Sequence, residues 1–378
     1  MATDNPFSPT FGVPPPVLAG RDEVLDDISD ALETGPSHPD FTSLLIGARG
    51  SGKTVTLNAI ADSAESLGWL TLSDNASPKG LIDRLTRATG SLLTGLQNGE
   101  PKRRVTGLNA VGIGIDLEPA PIPEFPSSLR EVLSELGELL LERRTGLLIT
   151  VDELHSGDLD EIREFGSVLQ LAARTRPKPV AFVGAGIPAI ESTLLSGAKA
   201  TFLQRCARHD IDRLDPQATR TALVEPIRQR GASIDPTALE NAVRTTKGYA
   251  FMVQLVGFHS WKAATNPTTG ITATDVVTGI HEAERRIGRL VLAPIWQDLS
   301  DVDRKFLLAM AVDDGESKVA EIANRLEVDL QYTSVYRKRL ISAGLVFPTG
   351  RGRIDFAHQP TRDWLRNNPE YLDNVDSP

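Results

Sequence analysis

The chain has 378 residues, 40% apolar and 24% charged, with 31 glycines; that balance buries a sizeable core, suggests two or three domains of about 150 residues each, and excludes a largely disordered protein. Cys206 is the only cysteine, which excludes a disulfide scaffold and fits a reducing, cytoplasmic setting. The net charge of −10 excludes a uniformly basic nucleic-acid coat protein but leaves room for a local basic patch, while no apolar run approaches the ~20 residues of a membrane span and the first twelve residues predict no signal peptide.

Residues 1–16 carry five prolines and read as an extended lead-in. Val24, Leu25, Ile28, Ala31 and Leu32 then recur at helical spacing. A strand is expected over Phe41–Ile46, a glycine-rich turn after it, and a helix from Lys53 to Leu67. The alternation continues with a strand at Trp69–Leu72 and a helix at Pro78–Leu96. Val105–Leu117, with Gly107, Gly112 and Gly114, reads as an inserted hairpin, and Pro119–Pro126 as a connector. Helices at Ser127–Arg144 and Asp158–Arg174 alternate with strands at Leu147–Val151 and Pro179–Val183. Such alternation predicts an α/β core, a parallel sheet with helices on both faces.

Strands are expected to cease after about residue 208. Asp215-Pro216 and Asp235-Pro236 each place a capping Asp before a proline at the first helical position, opening helices of an all-helical unit. Two further helices are expected over Tyr249–Ala264 and Thr274–Leu292. From Ser300 three short helices precede a β-like stretch, Leu345–Phe356, in the order of a winged helix-turn-helix. The division expected is therefore a core over 17–207, a helical lid over 208–295 and a winged-helix unit over 296–378.

The sharpest signal is Gly47-Ala48-Arg49-Gly50-Ser51-Gly52-Lys53-Thr54, followed by Val55, which matches G-x-x-x-x-G-K-[ST] between a strand and a helix. Glycines permit turns that aim backbone N–H groups at phosphate oxygens, and the helix N-terminus adds partial positive charge. Lys53 is expected on the β and γ phosphates of ATP, and Thr54 on Mg²⁺. About a hundred residues on, the apolar strand Leu147–Val151 ends in Asp152-Glu153. Asp152 is the candidate second Mg²⁺ ligand, and Glu153 the group that polarises the attacking water. His155 reads as a solvated loop histidine.

With these motifs the chain resembles the AAA+ ATPases, in the branch that holds the archaeal and eukaryotic origin-recognition and cell-division-control initiators and the STAND signalling ATPases. Leu18-Ala19-Gly20-Arg21-Asp22-Glu23 is similar to the GRxxE-like box ahead of the phosphate loop in both groups. The resemblance implies that Val17 to Arg21 border the adenine. It also implies an arginine finger after the sensor strand, where Arg205 and Arg208 stand, acting on a neighbouring subunit's nucleotide. Two departures stand out. The strand at Val180–Val183 runs into Gly184-Ala185-Gly186-Ile187-Pro188 with no polar sensor residue, and Gly248–Gln254 resembles the GxP lid motif with Ala250 in place of proline and no lid arginine. Both imply slow hydrolysis, as in a switch.

Between Gln331 and Arg353 stand Arg337, Lys338, Arg339, Arg351 and Arg353 and no acid, a +5 segment in a −10 protein. Double-stranded DNA is accordingly a candidate partner, with Ser334, Arg337 and Lys338 on the third helix and Arg351 and Arg353 on the wing. Three functions remain open at this point: a DNA-associated initiator- or loader-type ATPase, a STAND-like regulator whose lid and winged helix contact proteins, and a non-hydrolysing nucleotide-dependent scaffold.

Overall fold

The computed structural model describes residues 4–10, 12–77, 79–99, 104–106, 128–174, 177–188, 190, 202–357 and 360–368. They fall into two compact units, one of residues 21–46 and 53–210, the other of 1–20, 47–52 and 211–378.

The first unit is built on a six-stranded, all-parallel sheet. Its strands are β1 (Thr42–Ile46), β2 (Leu70–Asn75), β3 (Arg104–Thr106), β4 (Leu147–Asp152), β5 (Val180–Gly186) and β6 (Ala207–Asp210), in the order β3-β2-β4-β5-β1-β6. Every residue of β5 is buried, and so are the first five of β4, so both sheet faces are covered, as near-continuous apolar strands require. Helices α1 (Asp22–Thr34) and α2 (Lys53–Ser66) pack on each other, and α3 (Leu81–Gln97), α4 (Leu129–Glu142) and α5 (Leu159–Arg174) form a second packed group. Ser128 and Glu131 close a capping box at the start of α4.

Two strands depart from expectation. The stretch read as a hairpin at Val105–Leu117 begins instead as the edge strand β3, parallel to β2; the rest of that stretch, and the connector Pro119–Pro126, lie outside the described residues. Strand β6 was not expected: Ala207-Arg208-His209-Asp210 is short and polar, and only its backbone pairing with β1 makes it a strand. Polar edge strands carry no apolar run to read.

Glycine has a packing role in β5. A Cβ on Gly184 would lie 2.5 Å from Leu154 Cδ1 and 2.8 Å from Phe182 Cζ. Gly184→Ala should therefore cost about 1–3 kcal/mol of stability through overpacking, read as a lower Tm by calorimetry; an unchanged Tm would refute this account of the close approach.

In the second unit, helices α6 (Pro216–Gln229), α7 (Pro236–Thr246), α8 (Ala250–Ala263) and α9 (Ala273–Ile287) enclose one apolar core. Asp215 and Asp235 accept hydrogen bonds from the N–H groups of Ala218 and Ala238, the caps expected from the two Asp-Pro pairs. The lead-in is tied down: Phe7 is buried against Gly257 of α8, and Asn5 Nδ2 donates to the Phe258 carbonyl. A π-helical turn, Gly288–Leu292, joins α9 to α10 (Ala293–Asp298). Beyond it, α11 (Asp301–Ala311), α12 (Val319–Arg325), α13 (Leu330–Ser342) and α14 (Pro360–Asn367) surround an antiparallel sheet ordered β7-β9-β8, with β7 at Ser317–Lys318, β8 at Val346–Gly350 and β9 at Arg353–Phe356. Phe306, Met310, Ile322, Leu340, Ile354 and Phe356 form its core, and Trp364 packs edge-on to Trp296. Helices α11, α12 and α13 with this small antiparallel sheet are consistent with a winged helix. Among the described residues no helix is long and apolar enough to cross a membrane.

Candidate functional site: a phosphate loop and an acidic strand end

The loop that joins β1 to α2 in the chain takes backbone angles its glycines make possible. Gly50 has φ +75° and Gly52 φ +102°, left-handed values at which side chains are strained. A Cβ on Gly50 would also stand 2.2 Å from the Tyr249 hydroxyl, and the Gly50 carbonyl accepts a hydrogen bond from Phe251 N–H at 3.3 Å. Tyr249, which precedes α8, is buried, and burial pushes its phenol pKa up. Ser51 is buried, Ala48 half-buried and Arg49 exposed.

Lys53 opens α2 and is buried; Thr54 is exposed and Val55 half-buried. The Thr54 hydroxyl donates to Asp152 Oδ2 at 2.5 Å, so residues 98 positions apart in the chain present two oxygens side by side. Hard oxygen ligands of this kind suit Mg²⁺, which takes one or two protein oxygens and completes its shell with phosphate and water. The residues thus fit the metal the motif implies. Among the described residues no group of three or more His, Cys, Asp or Glu could hold a metal.

Glu153 follows Asp152 with φ 55° and ψ 34°, in the left-handed region. Its N–H donates to Asp152 Oδ1 at 2.7 Å. A short 3-10 turn, Leu154–Ser156, then folds back on the end of β5. His155 is not a solvated loop residue: its side chain is 6% exposed, with Nε2 3.2 Å from Glu153 Oε2 and Nδ1 accepting from Ile187 N–H at 3.4 Å. Nothing local in the sequence distinguishes it, because the groups that bury it come from β5.

Residues 17–183 match the family model described as AAA ATPase domain. Over that span, a little under half of the chain, the sequence is similar to AAA ATPase domains. A second model, a domain of unknown function (DUF8462), matches residues 289–365. No curated protein matches the chain. Among solved structures, a Walker-type ATPase of Pyrococcus abyssi superposes with TM-score 0.68 at 14% identity, over 92% of this chain and 96% of that one. The Cdc6p protein of Pyrobaculum aerophilum superposes with TM-score 0.51 at 16% identity, over 97% and 96%. At these identities the likeness is one of fold, the AAA+ fold.

Within the matched segment Arg21 is buried at the start of α1. Beyond the matched segment, Arg205 is exposed on a 3-10 turn and Arg208 exposed on edge strand β6.

In the C-terminal unit the basic segment is partly neutralised by acids from outside it. Arg339 is ion-paired with Asp303 and lies near the Tyr336 ring. Arg353 is ion-paired with Glu316, which also accepts from the Thr349 hydroxyl. The Ser334 hydroxyl donates back to the Leu330 carbonyl at 2.7 Å. Arg337 is half-buried, and Lys338 and Arg351 are exposed. Beside them α13 exposes Leu330, Tyr332 and Val335. A charge count along 331–353 misses Asp303 and Glu316, since both arrive through the fold.

Proposed function

We propose that the chain binds ATP with Mg²⁺ through residues 47–55 and Arg21, hydrolyses it slowly to ADP and phosphate, and acts as a nucleotide-dependent switch. The division proposed is an ATPase core over 17–207, a helical lid over 208–295 and a winged-helix unit over 296–378. The observation that carries this reading is the Thr54–Asp152 contact with Glu153 immediately beside it. Lys53 binds the β and γ phosphates, and Thr54 and Asp152 hold the metal. Mg²⁺, when bound, neutralises charge on the phosphate oxygens. Glu153 orients the attacking water and accepts its proton. Arg205 is proposed to act on the nucleotide of a second copy.

The test is nucleotide affinity and phosphate release, with Mg²⁺ and with EDTA. Glu153→Gln should bind ATP as the parent does and lose about a hundredfold in kcat, the low end for removal of a general base. Turnover at the parental rate in that variant would remove Glu153 from the mechanism.

For the C-terminal unit the proposed partner is double-stranded DNA, held by Arg337, Lys338, Arg351 and Arg353 with Ser334 on the same helix. Neutralising the four basic residues should weaken duplex binding in fluorescence anisotropy. It should also flatten the log–log salt dependence by about 0.9 per lost phosphate contact. The exposed Leu330, Tyr332 and Val335, with Arg339 and Arg353 already paired, favour the second reading, a STAND-like regulator whose partner is a protein. Absence of duplex binding even at low salt would decide for it.

A further inference from the structure

We propose that Tyr249 is a positioning residue for the phosphate loop, backing Gly50 from the start of α8; this rests on the ATP-binding reading above. Residues 47–52 belong to the same compact unit as α8. The glycines of the loop answer to different constraints. Gly52 has φ +102° and open space where a Cβ would stand, so its backbone angle alone demands glycine. Gly47 lies outside the left-handed region, but a Cβ there would be 2.4 Å from the Ile211 carbonyl oxygen. Gly50 meets both constraints: φ is +75°, and a Cβ would be 2.2 Å from the Tyr249 hydroxyl and 2.8 Å from its Cζ.

The surroundings hold Tyr249 in this place. It is buried within the apolar core that α6–α9 enclose. Gly248 before it has φ +73°, and a Cβ there would be 2.0 Å from the Leu214 carbonyl oxygen, while Leu214 N–H donates to the Gly248 carbonyl at 2.9 Å. That close turn aims the ring at the loop. Burial pushes the phenol pKa up, so the hydroxyl beside the loop stays uncharged. Tyr249 also precedes the first residue of α8 without capping the helix through its side chain, so the first N–H groups of α8 need outside acceptors. The Gly50 carbonyl accepts from one of them, Phe251 N–H, at 3.3 Å. A trans peptide carries its N–H on the edge opposite its carbonyl. The N–H opposite the Gly50 carbonyl is that of Ser51, which donates to the Ala48 carbonyl at 3.3 Å and closes a four-residue turn. Gly50 is the third residue of that turn, where a type II turn requires positive φ. The start of α8 therefore holds one edge of the peptide plane whose other edge closes the turn. A loop held in this way gives up less chain entropy when it binds phosphate. Tyr249 acts from outside, through the main chain of Gly50.

The experiment uses the full-length chain and compares the parent with Tyr249→Leu and Tyr249→Phe, each checked for a cooperative melt. Tyr249→Met, whose unbranched side chain also fills buried space without a ring, is the second variant should Tyr249→Leu fail that check. Tyr249→Leu should raise the Kd for ATP about tenfold, with kcat at saturating ATP within about twofold of the parent, because Lys53, Thr54, Asp152 and Glu153 are untouched. Inorganic tripolyphosphate, which carries no adenine, should lose affinity by the same factor when it competes with a fluorescent ATP analogue. Tyr249→Phe keeps the ring against Gly50 and should stay within about threefold of the parental Kd. Parental ATP affinity in Tyr249→Leu, or equal loss in Tyr249→Phe, overturns the positioning role and leaves ATP binding standing. A loss seen with ATP but not with tripolyphosphate also overturns it, by placing Tyr249 on the nucleoside instead of behind the loop. A parent that binds neither ligand overturns the ATP-binding reading and this proposal together.

Discussion

Lys53→Ala should abolish nucleotide binding. Lys53 is buried at the first position of α2, immediately after the glycine-rich loop, where the helix terminus adds its own positive field. A charge-assisted hydrogen bond contributes about 1.5–3 kcal/mol. Two such contacts to phosphate oxygens amount to about 4 kcal/mol, a thousandfold in Kd. Titration with a fluorescent ATP analogue, checked by calorimetry, reads this directly. A Kd within tenfold of the parent would mean that phosphates are not held at this loop. The same variant separates binding from turnover: Lys53→Ala removes both, whereas Glu153→Gln removes turnover alone.

The second large effect is on stability. Arg84, on α3, is buried with its guanidinium against Asp74 at the end of β2, the Nε–Oδ2 distance being 3.0 Å. Its Nη1 donates to the Lys79 carbonyl at 2.8 Å and its Nη2 to the Asn75 carbonyl at 2.6 Å. One side chain thus ties the β2–α3 connection together. Arg84→Met leaves a buried carboxylate with no counter-charge and strands two carbonyls. The expected loss is about 3–5 kcal/mol. For a unit of this size that lowers Tm by about 6–20 °C. Adding Asp74→Leu should restore much of it, since replacing both partners removes the desolvated charge as well as the bond. A parental Tm in Arg84→Met would show that the pair has no structural weight.

The features legible in the linear chain are those whose physics is local. The phosphate loop was readable because its glycines, lysine and threonine are neighbours in sequence. Asp215 and Asp235 were readable as caps because a cap and the amide it accepts from lie three residues apart. The apolar strands over Leu147–Val151 and Val180–Val183 were readable because burial on both faces demands continuous apolar residues. Asp152 and Glu153 could be singled out as an acidic pair at a strand end, and their roles named from the motif.

Other features were decided only when distant segments met. Polar Ala207–Asp210 becomes a strand by pairing with β1, and Arg104–Thr106 by pairing with β2. The basic run over 331–353 is partly neutralised because Asp303 and Glu316 arrive from other elements. Arg84 and Asp74 are ten residues apart with no motif between them, and burial alone gives the pair its weight. His155 looked like any loop histidine until the end of β5 covered it. By itself, then, the sequence singled out the residues proposed to hold phosphate and metal, because that chemistry is written in short range. The tertiary structure decided which charges are paired and which polar side chains are buried, because electrostatics and burial depend on distance in space.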